Sequence, residues 1–211
     1  MYEAWYWLQR GGVVMIPLTL CSIIALAIII ERALILRRKK ILIPEIINLI
    51  ETIKRPEDIH LAISICEKNK GVFANIVLLA LKNIELAKDE LKELILDQGR
   101  QEVRALSKGL GVLETIAGVA PLLGLLGTVT GMIKVFTVIS KMGVGQTQSL
   151  SAGISEALIT TVAGLTIGIP VLVLYNYYTE KAENLVMDIE KFTATLLRKL
   201  GRFQGSENVT A

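Results

Sequence analysis

Three long uncharged apolar runs constrain what this chain can fold into. They cover residues 11–30, 115–133 and 157–179, and none contains Asp, Glu, His, Lys or Arg. Each run is about 20 residues long, and a helix of that length crosses a hydrocarbon core of about 30 Å. Three such runs in a chain of 211 residues, about half of them apolar, favour a membrane protein over a soluble protein with buried helices.

The charges around the first run distinguish it from a signal peptide. A signal peptide carries its positive charges before the apolar run and a small-residue cleavage site after it. Here Glu31 and Arg32 follow the run, residues 37–40 read RRKK, and no A-x-A-like site follows. The first run is therefore predicted to be a retained transmembrane helix.

The distribution of basic residues predicts the topology. Of the 23 Lys and Arg residues, 15 lie between Arg32 and Lys108 and five lie from Lys181 onward. Because basic residues concentrate on the cytoplasmic side, we expect an external N-terminus and a cytoplasmic C-terminus. The predicted segments are an external interfacial segment (1–10), transmembrane helix 1 (11–31), a cytoplasmic helical region (32–112), transmembrane helix 2 (113–139), an external loop (140–155), transmembrane helix 3 (156–179) and a cytoplasmic helix and tail (180–211).

The fold class predicted from these patterns is an all-α integral membrane protein, with long cytoplasmic helical extensions of the second and third transmembrane helices. Apolar residues recur at helical spacing at positions 46, 47, 49, 50 and 53, and at positions 185, 189, 192, 196 and 200. Pro44 and residues 56–58 are predicted helix starts. We expect the helix from Leu86 to Ser107 to continue into the second span as one rod, and the tail after Gly201 to fray.

Residue types argue against several classes of function. The chain has one histidine, His60, and two cysteines, Cys21 and Cys66, which are predicted to be packing residues. We find no metal-ligand spacing, dinucleotide fingerprint, phosphate loop or nucleophile–base pair, so no metal, cofactor or enzymatic activity is expected. The basic residues are mixed with acids and have no aromatic platform, which argues against nucleic-acid binding.

Small and hydroxyl residues form one stripe on each of the last two spans. Helical spacing puts six residues of the second span on one face (Ala117, Pro121, Gly124, Thr128, Gly131 and Val135) and four of the third (Ala157, Thr161, Gly164 and Gly168). One interpretation is close helix packing through small-xxx-small pairs; the other is the lining of a hydrated path or a contact with a foreign polar helix. The residues alone favour packing. No ionisable group lies at the centre of a span, so a second protein would have to supply the carboxylate for any proton or cation movement.

Two motifs resemble a known family. Residues 120–132, APLLGLLGTVTGM, and 153–165, GISEALITTVAGL, with the later pairs Ile169-Pro170 and Tyr175-Asn176, resemble the MotA/TolQ/ExbB proton-channel family, ExbB first and TolQ next. The resemblance implies a ring of five identical subunits in the bacterial inner membrane. Its pore would hold single helices of an ExbD- or TolR-like partner that carries an intramembrane aspartate. Proton flow would drive a TonB- or TolA-like protein, for import through outer-membrane receptors or for envelope integrity and division.

The resemblance also implies roles for individual residues. Matching positions predict that seven residues line the pore: Thr128, Thr161, Glu156, Gly124, Gly131, Gly164 and Pro121. The two threonine hydroxyls would face the partner's acid, Glu156 would shape the outer end of the pore or the packing of subunits, and Pro121 would open a kink near the inner mouth. A flagellar stator of the MotA kind, typically with four spans, and a non-conducting scaffold or permease subunit are the alternatives. The choice between proton and sodium stays open.

Overall fold

The computed structural model describes residues 11–53, 58–69, 71–143 and 147–207. These residues form eight helices and no strand: α1 Met15–Ile35, α2 Arg38–Ile41, α3 Pro44–Thr52, α4 Asp58–Lys68, α5 Val72–Lys82, α6 Lys88–Ser107, α7 Leu110–Met142 and α8 Thr147–Glu207. The predicted all-α class is confirmed. The predicted interfacial segment and the start of the helix expected at residues 56–58 lie outside the described residues, except for Asp58, where α4 begins.

Three described stretches are long and apolar enough to cross a membrane: Met15–Ile35, Asp89–Lys141 and Thr147–Arg202. Their outward faces carry large exposed apolar side chains, among them Ile16, Leu20 and Ile23 on α1, Leu122, Leu125 and Ile133 on α7, and Leu158, Val162 and Ile169 on α8. Such a surface is unfavourable in water and matches a hydrocarbon surrounding. The chain is an all-α membrane protein with three candidate spans.

The chain divides into two compact units. The first comprises residues 1–31 and 109–177, and the second comprises residues 32–108 and 178–211. The first unit therefore holds most of α1, all of α7 and the first half of α8. The second holds the end of α1, helices α2 to α6 and the second half of α8.

In the first unit, α7 and α8 pack against each other in opposite directions. Positions near Pro121 contact α8 near Gly168, and positions near Gly131 contact it near Ala157, so the pairs run in reverse order. The start of α1 lies against α8, where a Cβ on Gly11 would come within 3.4 Å of the Ile159 side chain. This arrangement brings the two glycine-lined faces together.

The second unit has an apolar core and a lysine that bonds the end of α3. The rings of Phe73 and Phe192 lie 6.0 Å apart between centroids, tilted by 56°. Lys199 Nζ donates to the carbonyl oxygens of Ile50 at 2.8 Å and Glu51 at 2.6 Å, at the end of α3. Those carbonyls have no partner within their own helix, and the ammonium also offsets the negative end of the helix dipole.

A buried arginine holds the end of α6 within the same unit. Arg32 is 1% exposed and its Nη1 donates to the carbonyl oxygens of Ala105 and Leu106 at 3.3 and 3.2 Å. These are carbonyls of the last turn of α6, which intrahelical bonds leave open. Arg32 therefore ties the last part of α1 to the end of α6.

Three boundaries differ from those predicted. The long helical extension of the second span is confirmed, but it is not the single uninterrupted rod expected: α6 ends at Ser107 and α7 begins at Leu110, because Gly109 between them has a φ of +80°, a left-handed conformation that does not continue a helix. α8 continues past Gly201 to Glu207, and the rest of the tail that was expected to fray lies outside the described residues. Helix also covers much of the predicted external loop, since α8 begins at Thr147.

Candidate functional site

Two threonine hydroxyls meet between α7 and α8. Thr128 Oγ1 contacts Thr161 Oγ1 directly. Thr128 Oγ1 also lies 3.3 Å from the carbonyl oxygen of Gly124 and 3.2 Å from that of Ala157. Thr161 Oγ1 reaches the same two oxygens, at 3.2 and 3.3 Å. Two hydroxyls thus share two carbonyls, one from each helix, and both threonines are half-buried.

This hydroxyl pair, Thr128 and Thr161, can offer both a donor and an acceptor to a third group. Each hydroxyl has one hydrogen and two lone pairs. When both hydrogens point at the carbonyls, a free lone pair can accept from a protonated acid. When one hydroxyl rotates, it can donate to the ionised form of the same acid. The pair is chemically able to hold a carboxyl group through a change of protonation, but at neutral pH it carries no exchangeable charge itself.

Glycines set the distance at which the two helices meet. A Cβ on Gly164 would lie 2.5 Å from the carbonyl oxygen of Ala120 and 3.0 Å from Gly124 Cα. A Cβ on Gly124 would lie 2.9 Å from the carbonyl oxygen of Thr160. These neighbours are backbone atoms that no rotamer change can move away. The glycines therefore permit the close approach that brings the hydroxyl pair together.

A second threonine of α8 fills the next recess. A Cβ on Gly127 would collide with the Thr160 side chain, which is fully buried. Thr160 Oγ1 donates to the Ala157 carbonyl at 2.9 Å, so its hydroxyl is satisfied within its own helix. Thr160 was not among the site residues predicted from the sequence. The sequence did contain an indication of such a residue: Gly127 leaves a gap on α7, and a side chain from α8 must fill it.

The remaining predicted residues of α7 lie on the same contact. A Cβ on Gly131 would lie 2.9 Å from Ala157 Cβ, and one on Gly168 would lie 2.6 Å from Pro121 Cγ. Pro121 is half-buried inside α7, and its ring occupies the space that Gly168 leaves open. The kink expected at Pro121 stays a prediction.

An ion pair lies further along the same two helices. Lys134 Nζ on α7 is 2.6 Å from Glu156 Oε1 on α8, and the two side chains are 56% and 19% exposed. A Cβ on Gly12 would collide with the Glu156 carboxylate, and Gly12 has a φ of +67°. The carboxylate therefore lies against Lys134 on one side and the backbone before α1 on another. Lys134 was not predicted as a site residue, although its position three residues after Gly131 places it on the glycine-lined face of α7.

Metal binding has no support in the part of the chain that the structure describes. No group of three or more His, Cys, Asp or Glu side chains able to hold a metal ion occurs among the described residues. The chemistry of the contact between α7 and α8 is therefore that of hydroxyls, carbonyls and one ion pair. Residues 115–133 and 157–179, which hold the hydroxyl pair, contain no Asp, Glu, His, Lys or Arg.

The model of the MotA/TolQ/ExbB proton channel family matches residues 68–191. The chain belongs to this family. The matched range covers α5, α6 and α7 and most of α8, and so includes both glycine-lined faces, the hydroxyl pair and the Lys134–Glu156 ion pair. Membership makes this chain part of a membrane channel family.

Curated relatives carry ExbB and TolQ names. A putative ExbB-like biopolymer transport protein of Synechocystis is 35% identical over 170 residues, which are 79% of this chain and 66% of that protein. ExbB of Pseudomonas putida is 31% identical over 208 residues, 92% of this chain and 62% of its own length. TolQ of Haemophilus influenzae is 34% identical over 103 residues, 47% of this chain and 45% of TolQ. The chain thus spans less than two thirds of the length of these relatives.

The structure places the seven predicted site residues in two groups. Six of them lie where α7 packs on α8 within one chain: Gly124, Thr128, Gly131, Thr161, Gly164 and Pro121. Glu156 lies apart from these, in the ion pair with Lys134. The glycines have a packing role in this contact, and pore lining by the seven residues stays a prediction.

Proposed function

We propose that this chain is the channel subunit of an ExbB/ExbD-type motor in the bacterial inner membrane. In this proposal the proton-motive force drives transport across the outer membrane through a TonB-like protein, and the chain itself performs no catalysis. Family membership and the ExbB names of two relatives support the proposal. Five copies would form the ring, with the N-terminus periplasmic and the C-terminus cytoplasmic.

The observation that carries the proposal is a half-buried hydroxyl pair in spans without charge. The hydroxyls of Thr128 and Thr161 lie within bonding distance of each other and of two carbonyls, and they retain lone pairs for a further group. Residues 115–133 and 157–179 offer no acid or base of their own. A single-span partner resembling ExbD or TolR would supply an aspartate to this position. The hydroxyls would hold its carboxyl group in both protonation states while protons enter and leave.

A TolQ-type role in envelope integrity and division is the second candidate. It is favoured by the similarity to TolQ of Haemophilus influenzae. The two roles differ in the partner served and not in the geometry of α7 and α8. Expression of this chain, with its own partner, in cells lacking either ExbB or TolQ separates them. Restored receptor-dependent import supports the first role, and restored detergent resistance with normal division supports the second.

Proton flux into liposomes tests the channel directly. The full chain is reconstituted with and without its single-span, aspartate-bearing partner, and flux is followed at an imposed potential. Thr128→Val and Thr161→Val remove one hydroxyl each and keep the side-chain shape. We expect flux only with the partner, and a fall of about tenfold or more in each variant, the size of effect that loss of one well-placed polar contact has on a rate.

Thr115→Val is the matched control. Thr115 lies on the exposed side of the same span, and its hydroxyl donates to the Gly111 carbonyl of its own helix at 2.8 Å. Its loss should leave flux unchanged. Equal flux in all three variants would assign the hydroxyl pair to packing alone. No flux with an intact partner would favour a non-conducting scaffold.

A further inference from the structure

Three threonine hydroxyls surround the carbonyl oxygen of Ala157 on α8. Thr160 Oγ1 is the nearest of them, at 2.9 Å. The two members of the hydroxyl pair follow, with Thr128 Oγ1 at 3.2 Å and Thr161 Oγ1 at 3.3 Å. Thr160 is not part of the proposed acid-binding pair, yet it competes with both of its members for this acceptor.

The Ala157 oxygen has room for one of these hydroxyl hydrogens. A carbonyl oxygen has two lone pairs. Ala157 and Thr161 both lie inside α8, so the backbone N–H of Thr161 uses one lone pair in the ordinary helical hydrogen bond. The nearest hydroxyl, that of Thr160, uses the other. A hydrogen of Thr128 or Thr161 can point at this oxygen only by sharing a lone pair that is already occupied.

Packing holds the Thr160 hydroxyl at this acceptor. The Thr160 side chain is 0% exposed and fills the recess at Gly127, where a Cβ would collide with its hydroxyl oxygen. The Glu156 carbonyl is a second acceptor for the same hydroxyl, but it lies farther away, at 3.2 Å. The bond to Ala157 is the shorter of the two, so we take it as the main one.

The hydroxyl pair is therefore left with one carbonyl for two hydrogens. The Gly124 oxygen lies 3.3 Å from Thr128 Oγ1 and 3.2 Å from Thr161 Oγ1, and one of its lone pairs is free of backbone bonds. One hydroxyl of the pair can donate to this oxygen, and the other donates to its neighbour, in agreement with their direct contact. An incoming carboxylate can accept this second hydrogen without the loss of a carbonyl bond.

We propose that Thr160 is a positioning residue of the hydroxyl pair: by occupying the Ala157 carbonyl, it keeps one hydrogen of the pair available to a carboxylate. The inference rests on the proposed function, because the carboxylate is that of the single-span partner. Thr160 is fully buried and does not touch this acid, so it acts through Thr128 and Thr161. Hydrogen bonds to the charged form of an acid stabilise that form.

Loss of the Thr160 hydroxyl should raise the pKa of the partner's acid. With the second lone pair of Ala157 free, each hydroxyl of the pair has a carbonyl of its own. A bond to the carboxylate then requires one of these bonds to break, and the ionised form of the acid becomes less stable. The net value of one hydrogen bond corresponds to a rise of about 0.5–1 pH unit.

Few other groups can titrate near the pair. The three apolar runs, 11–30, 115–133 and 157–179, contain no Asp, Glu, His, Lys or Arg. Glu156 lies four residues before Thr160 and is 2.6 Å from Lys134. The remaining titratable side chains of the runs are a thiol on α1 and three phenols at least 14 residues beyond Thr161: Cys21, Tyr175, Tyr177 and Tyr178.

The test uses the full chain reconstituted with its aspartate-bearing partner. The partner alone carries isotope-labelled aspartate, and infrared spectroscopy follows the carbonyl stretch of its protonated acid as the pH is varied. Proton flux is recorded on the same liposomes. We expect Thr160→Val, which keeps the side-chain shape, to move the midpoint upward by about 0.5–1 pH unit. Thr160→Ser keeps the hydroxyl and should restore the midpoint of the unsubstituted chain.

Thr130→Val is the matched control. Its hydroxyl donates to the Gly127 carbonyl of its own helix at 3.0 Å, an oxygen that the hydroxyl pair does not use. The midpoint should not move in this variant. Thr160→Ala is a second hydroxyl-free variant and should shift the midpoint in the same direction as Thr160→Val, so the test does not depend on one variant folding.

Two kinds of failure can be told apart. An unmoved midpoint in the hydroxyl-free variants, or an equal shift in Thr160→Ser or Thr130→Val, would overturn the positioning role and assign Thr160 to packing at Gly127. Partner-dependent flux in the unsubstituted chain would still support the channel in that case. Absence of such flux, together with a partner acid whose midpoint is the same with and without this chain, would overturn both proposals.

Discussion

At the scale of single residues, Lys134 and Glu156 show how a charge is kept at the edge of an apolar span. The carboxylate is mostly buried and has an ammonium group 2.6 Å away. A buried charge without a partner is unfavourable, so removal of one member is more damaging than removal of both. The pair therefore gives the Glu156 carboxylate a counter-charge from within its own chain.

Neutralising either member alone should destabilise the contact between α7 and α8. We expect Glu156→Gln and Lys134→Gln each to lower the free energy of unfolding by about 1 kcal/mol, the scale of partly exposed pairs. The exchange Lys134→Glu with Glu156→Lys should recover part of that loss. Denaturant titration in detergent at low and high salt measures the coupling. Losses that simply add in a Lys134→Gln, Glu156→Gln double variant would rule out the interaction.

Cys66 is predicted to be chemically inert in the folded protein. It is buried in α4, and burial raises the pKa of the Cys66 thiol to about 11. Because the thiolate is the reactive form, alkylation of the folded protein at pH 8 should be far slower than after unfolding. Because the pKa of the thiol is higher in the folded than in the unfolded chain, the contribution of Cys66 to the free energy of unfolding is fully present below pH 9. That contribution declines as the pH rises towards 11. Iodoacetamide kinetics followed by mass spectrometry measure the reactivity, and equal rates in both states would contradict the burial.

At the scale of helices, the contact between α7 and α8 depends on backbone proximity. Gly164 faces the Ala120 carbonyl and Gly124 Cα, so any side chain there pushes the helices apart. Gly118 on the same helix is exposed, and a Cβ there would meet nothing within 4 Å. The same chemical change should therefore have opposite effects at these two glycines.

Gly164→Ala should lower the free energy of unfolding by about 1–3 kcal/mol through overpacking. Gly118→Ala should leave it unchanged or raise it by up to about 1 kcal/mol, because alanine is the better helix former. Thermal unfolding of both variants in the same detergent compares them. Destabilisation of the same size at both positions would show that helix contact is not the cause.

Spacing along the sequence predicted which faces of these helices meet, but not what each residue does there. Steps of three and four residues aligned Gly124, Thr128 and Gly131, and those residues do contact α8. The interruption at Gly109 was not predicted, because glycine is also common inside membrane helices. Only the positive φ of Gly109 distinguishes a glycine that ends a helix from one inside a helix. The partner of Glu156 was missed because it belongs to a different helix, whose rotation sequence alone does not fix.

At the scale of the whole molecule, composition predicted a three-span membrane protein, and the described helices agree. Apolar runs free of charge are strong signals because every backbone polar group in lipid must be bonded within the helix. The contacts inside the second unit could not be predicted from the sequence. Burial of the Thr193 hydroxyl without a hydrogen bond to the described residues, for example, is visible only once the helices are packed.

Orientation is the last prediction, and it follows from the basic residues alone. Fifteen of 23 lie between Arg32 and Lys108, so that region should be cytoplasmic and the end of α7 external. In a background with Cys21→Ala and Cys66→Ala, we expect an impermeant maleimide to label Lys141→Cys in intact spheroplasts. Glu93→Cys, exposed on α6, should react only after permeabilisation.

The two cysteine positions control for each other, since both side chains are exposed in the folded chain. Comparable labelling of both after permeabilisation would establish that each thiol is reactive, so that any difference in intact spheroplasts reports the side of the membrane. The reverse pattern, with Glu93→Cys labelled first, would place the basic region outside. It would also contradict the proposed topology, in which the N-terminus is periplasmic and the C-terminus cytoplasmic.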